Sequence, residues 1–80
     1  MEEAPDIVIE VLSPSNTASE MLDKEQICLE NGAREFWVVD PVRRQVKVSG
    51  ADAHAATYKT GQSIPLFFGG TLPVDSILPP

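Results

Sequence analysis

The spacing of apolar side chains divides the chain into segments of different period. Ile7-Val8-Ile9-Glu10-Val11-Leu12 is β-branched and apolar on both alternating sets, broken only by Glu10, which is the pattern of a strand buried on both faces. Glu10 is the anomaly in it. Ser13-Pro14-Ser15-Asn16-Thr17 is a cluster of turn formers, and Ser15, Asn16 or Thr17 can each supply the oxygen that caps a following helix. That helix is expected to begin near Ala18 and to end at Leu29 or Glu30, where Asn31-Gly32 lets the chain leave through a left-handed glycine. On a helical wheel Ala18, Met21, Leu22, Cys28 and Leu29 cover about one third of the circumference, the width of a face packed on a sheet. Lys24 falls at the border of that arc and Glu25 near its middle, an uncomfortable position for a carboxylate.

Glu35-Phe36-Trp37-Val38-Val39-Asp40 reads as a second strand, and strand, helix and strand in this order predict a parallel pair joined by a right-handed crossover. Asp40-Pro41 turns the chain. Gln45–Ser49 alternates polar with apolar and is expected to form an antiparallel hairpin with the second strand. A weaker strand is expected at Ala55–Lys59, followed by a proline- and glycine-rich tail of extended packing with a short helical turn at Val74–Leu78. The fold class is therefore α/β (α+β), a mixed sheet with one helix. One helix covers one face only, so the tail, a second copy of the chain or a further N-terminal element must cover the other. Phe36 and Trp37 point to opposite faces, which makes Trp37 a candidate for that interface.

Eighty residues hold a single core, expected over residues 1–80. Six Lys and Arg against twelve Asp and Glu give a formal net charge of −6, which excludes a basic nucleic-acid coat. Cys28 is the only cysteine, so neither an internal disulfide nor the Cys pair of a zinc site is available, and a small core residue is its simplest reading. The first residues, Met1-Glu2-Glu3, carry no basic region, and no uninterrupted apolar run in the chain is long enough for a signal peptide or a membrane span; the expectation is a cytoplasmic chain without a membrane partner.

Pro5-Asp6-Ile7-Val8-Ile9-Glu10-Val11-Leu12-Ser13-Pro14-Ser15, then Lys24, then Phe36-Trp37-Val38-Val39-Asp40-Pro41, strongly resemble a large bacterial family of candidate restriction endonucleases in the PD-(D/E)XK nuclease superfamily. The likeness continues through Gly61, Pro65-Leu66-Phe67 and Leu72-Pro73-Val74-Asp75-Ser76-Ile77-Leu78. The resemblance implies a restriction endonuclease-like mixed sheet and a Mg²⁺-dependent (or Mn²⁺-dependent) DNA phosphodiesterase. It assigns Glu10 and the main-chain carbonyl of Val11 to the metal and Lys24 to the transition state, with the lysine moved from the strand to the helix. A hard cation calls for carboxylate oxygens, and a nearby ammonium stabilises the charge developing on phosphate. In the family a metal-binding Asp lies on a strand before this one. Only Met1–Pro5 and Asp6 precede Ile7 here, so the expectation is a nuclease-like domain truncated at its N-terminus, weak or inactive alone. Asp6 shares a strand face with Glu10, but four residues of strand span about 13 Å, too far for both to grip one ion.

Each candidate also has a plainer reading. Glu10 is a metal ligand, or else a sheet-edge carboxylate satisfied by Lys24. Lys24 reaches the sheet edge, or else pairs with Glu20 one turn earlier. Asp6 is a strand-entry residue satisfying backbone donors, or a ligand; Glu25 borders the site, or the helix is rotated from the ideal wheel. Arg43-Arg44 is the only basic doublet and reads as solvated hairpin, His54 as a surface residue, and Gly69-Gly70 as a bend. DNA binding is expected to be weak and metal-dependent. The rival function, from another class, is a catalytically silent module that forms a homodimer through the uncovered sheet face.

Overall fold

The computed structural model describes residues 6–52 and 54–78; Met1–Pro5, which include the opening proline of the resemblance, and Pro79-Pro80 of the tail lie outside them. Strands β1 (Ile7–Val11), β2 (Glu35–Asp40), β3 (Gln45–Gly50) and β4 (Ala55–Lys59) form one sheet in that order, with helix α1 (Ala18–Glu30) between β1 and β2. β1 runs parallel to β2, while β2, β3 and β4 form an antiparallel meander. Two short strands, β5 (Ser63–Pro65) and β6 (Thr71–Pro73), pair as a separate antiparallel ribbon and lead into a 3-10 turn at Val74–Ser76.

The local chemistry explains where α1 starts and stops. Thr17 is the N-cap: its Oγ1 accepts from the Glu20 amide at 3.1 Å and donates to Glu20 Oε1 at 3.2 Å, a reciprocal cap that occupies Glu20. At the other end Gly32 takes φ of 103°, and the amides of Asn31 and Ala33 both reach the Cys28 carbonyl, closing the last turn.

The strand register sorts side chains onto two faces. Val8 and Glu10 share one face with Phe36, Val38, Lys47 and Ser49, and α1 lies on this side over β2. Met21 is buried, Glu25, Cys28 and Leu29 are half-buried, and Leu22 is exposed. The buried stripe of the helix thus runs through Met21, Glu25 and Cys28, with Leu22 and Ala18 outside it.

The opposite face carries Trp37, Val39 and Val46, and the tail packs there. Ile64, Val74 and Leu78 join those three residues in one core, with Tyr58, Leu66 and Leu72 at its margin. Burying a Val or Ile side chain stabilises by about 1.5–3 kcal/mol, so this short segment is the second layer of the fold. Trp37, expected at an interface, is 1% exposed under the tail, and its Nε1 donates to Glu35 Oε1 at 3.0 Å. The tail, one of three covers the sequence allowed, does the covering. At β1 only Ile7 packs against this core. Ile9 and Val11 are 51% and 61% exposed, so β1 is not buried on both faces as its apolar pattern suggested. Among the described residues it is an edge strand, paired with β2 alone.

Candidate active site

Glu10 sits at the position of β1 that faces Val38 of β2, on the side covered by α1. The polar side chain is tolerable there because β1 is an edge and the helix crosses one strand away. Lys24 comes from the border of the helix's buried stripe. Its Nζ lies 3.8 Å from Glu10 Oε2, and the two side chains are 49% and 36% exposed respectively. Of the two partners open to Lys24, the structure selects Glu10, since Glu20 is engaged in the N-cap. A carboxylate and an ammonium are thus held together, half in water, at the crossover of the βαβ unit.

The other sequence candidates do not converge on this pair. Asp6 lies at the start of β1, where its main-chain carbonyl accepts from the amides of Arg34 and Glu35 and its carboxylate stands 3.8 Å from Arg34 Nε. That makes Asp6 a strand-entry residue, with Arg34 in turn 5.0 Å from the centre of the Phe67 ring. Arg43 of the basic doublet is held by Asp40 at 3.1 Å. The Asp40 carboxylate also accepts from the amides of Val42 and Arg43. Donation from the Arg43 amide, which outweighs the opposing effect of burial, holds Asp40 below the usual carboxylate range. His54 is a surface residue as expected; its Nδ1 lies 2.9 Å from Asp52 Oδ2, and that contact raises the imidazole pKa and lowers the carboxyl's.

Glu25 has a location that accounts for its odd place on the wheel. It lines a groove of about 350 Å³ between α1 and the sheet, with Leu12, Met21, Leu22, Val38 and, from β3, Lys47. Val38 forms the floor of this groove and is also the register partner of Glu10. Lys47 was missed as a site residue because strand alternation alone reads it as solvated; the signal lies in the register Glu10, Val38, Lys47 across three strands.

As for a metal, Glu10 is a hard oxygen donor of the kind a divalent cation prefers. Among the described residues, however, no three His, Cys, Asp or Glu side chains converge into a cluster able to hold an ion. The donor set fits one side of a metal site and not a closed cage.

The family described as "Uma2: Putative restriction endonuclease" matches residues 1–79. The chain belongs to that family. It is also similar to a crystal structure of "a putative nuclease belonging to DUF820 from Anabaena variabilis ATCC 29413", with a TM-score of 0.80 and 24% identity over 95% of this chain. This likeness establishes the restriction endonuclease-like fold of the Uma2 chain. The chain spans 45% of that protein's length. No curated protein matches it. Nucleases of this fold generally use divalent metals. Among the described residues no helix is long and apolar enough to cross a membrane.

Proposed function

We propose that this Uma2 chain is a DNA endonuclease-type domain for Mg²⁺-dependent phosphodiester hydrolysis. The observation that carries the reading is the meeting of Glu10 and Lys24, 3.8 Å apart, on the strand and helix of the family's βαβ unit. In this reading the Glu10 carboxylate and the Val11 main-chain carbonyl ligate the cation. Bound there, a divalent ion supplies a Lewis acid that activates water and offsets phosphate charge. Lys24 donates to the non-bridging phosphate oxygens as negative charge grows on them. Its partial exposure lets the ammonium exchange Glu10 for phosphate at small cost, because a half-exposed ion pair is worth little. Among the described residues neither Asp6 nor Glu25 joins Glu10 in a cluster of three acids, and in this reading the chain alone is weak or inactive because the strand that carries the family's first metal-binding Asp is missing from the described residues.

A Mn²⁺ titration followed by paramagnetic NMR broadening tests this without a choice of substrate. Saturable broadening around Glu10 that disappears in Glu10→Ala is the expected result. A folded protein with no localised broadening overturns the metal assignment. Supercoiled DNA cleavage in Mg²⁺, lost in both Glu10→Ala and Lys24→Ala, is the activity counterpart.

A second reading rests on a different observation, the exposure of Ile9 and Val11 on an edge strand. Two copies that bury these side chains against each other form a homodimer, and such a module needs no catalysis. Sedimentation equilibrium tests the module reading, which requires a dimer that Val11→Lys dissociates. A monomer at all concentrations refutes it.

A further inference from the structure

The face of the sheet beside α1 is open over β3 and β4. The helix lies over β2, and beyond it Lys47, Thr57 and Lys59 are exposed and Gln45 half-buried on the same side. The register makes them neighbours, Lys47 opposite Thr57 and Gln45 opposite Lys59. This surface continues the site through the groove floored by Val38, which separates Glu10 from Lys47.

The charges on this face are distributed unevenly. Of the six Lys and Arg residues, Lys24, Arg34 and Arg43 each stand within 4 Å of a carboxylate. Lys47 and Lys59 have no carboxylate within that distance among the described residues. Glu25 is the acid that shares the groove with Lys47, and it lies on the helix side of it. The two lysines therefore present positive charge to solvent although the chain carries −6 overall.

We infer that the open face of β3 and β4 is a track for the DNA backbone, with Lys47 and Lys59 contacting phosphates that flank the one at Glu10 and Lys24. This rests on the nuclease reading above. Strands lie about 4.8 Å apart, so Lys47 stands about 10 Å across the sheet from Glu10. Successive phosphates on one strand are farther apart than the axial rise of about 3.4 Å because they wind around the duplex, so that separation matches a phosphate one or two nucleotides away. Thr57 and Gln45 add neutral donors between the two cations, as backbone-positioning surfaces do. The contacts are to phosphate, so they carry no sequence preference.

The test measures fluorescence anisotropy of a labelled duplex with the full chain in Mg²⁺ held at one concentration, over a series of salt concentrations. Each phosphate contact contributes about 0.9 to the slope of log K against log salt on duplex DNA. Lys47→Ala and Lys59→Ala are each expected to reduce the slope by about that amount, and the double variant by about twice as much, whereas Lys47→Arg retains it. An unchanged slope in the double variant overturns the track and leaves the lysines as solvated residues of the open sheet face. Absence of duplex binding by the wild type at low salt overturns it as well. The nuclease reading is judged apart, by Mn²⁺ broadening at Glu10, which both lysine variants are expected to keep.

Discussion

The Glu10–Lys24 pair offers the sharpest quantitative test. At 3.8 Å, two unit charges attract by about 1.1 kcal/mol in bulk water. With the side chains 49% and 36% exposed, salt screening and the entropy of holding two long side chains lower the net value to about 0.2–1 kcal/mol. A double-mutant cycle of Glu10→Gln, Lys24→Met and the double variant, read by urea unfolding, should return a coupling energy in that range. All four proteins should stay folded, with midpoints within about 1 M urea of one another for a slope of 1–3 kcal/mol per molar. Mn²⁺ binding on the same samples should separate the two residues. Glu10→Gln loses it, and Lys24→Met keeps or strengthens it by removing a competing cation. A coupling above about 2 kcal/mol, with Mn²⁺ binding unaltered by Glu10→Gln, would refute the reasoning and make the pair a structural ion pair.

Further outcomes follow from the packing and the titrating groups. Ile64→Ala, at a site with no exposure, should cost about 2–5 kcal/mol in denaturant unfolding; a loss below 1 kcal/mol would show that the tail is not the second layer of the core. Asp40 is stabilised as a carboxylate and its folded pKa lies below the ordinary 3.8. Its contribution is therefore complete above that value and lost as pH falls through the lowered pKa. The stability gap between wild type and Asp40→Ala should be constant from pH 7 to 5 and close in strong acid. His54 should titrate above 6.5, with its contact to Asp52 present below that pH and lost as pH rises through the raised pKa; NMR of Asp52→Asn should return the imidazole to its ordinary value. Thr17→Ala should cost about 0.5–2 kcal/mol through the lost cap, measured by the same unfolding curves.

The parts legible in the sequence were those governed by short-range rules. The helix from Ala18 to Glu30, its exit at Gly32 and the pairing of β2 with β3 follow from caps, glycine and alternation. The tail ribbon was hidden because Pro65 and Pro73 sit inside its two strands, and proline reads as a breaker. In a two-stranded ribbon each strand has a free edge, so a missing amide is tolerated. That the tail, rather than a second copy or a further element, covers Trp37 was not legible either, since the residues that bury it, Ile64, Val74 and Leu78, are distant in sequence and carry no period of their own. In the site, the wheel left Lys24 with two acceptable partners, and only the N-cap, which engages Glu20, removed one. Glu25 and Lys47 meet in one groove because a helix crosses a particular strand pair, a fact of packing that no local pattern encodes.

Ile7–Val11 is five residues of high strand propensity without proline, on the open side of the sheet, with Ile9 and Val11 in water. Segments of this composition stack into amyloid-like ribbons when nothing interrupts them. Glu10 is the only charge in the segment, and repeating it in register along a fibril would set like charges about 4.8 Å apart. The carboxylate is thus a gatekeeper against self-assembly as well as a candidate ligand. Apolar replacements at position 10 should form thioflavin-positive fibrils sooner than wild type, so solubility enters the choice of any variant made there.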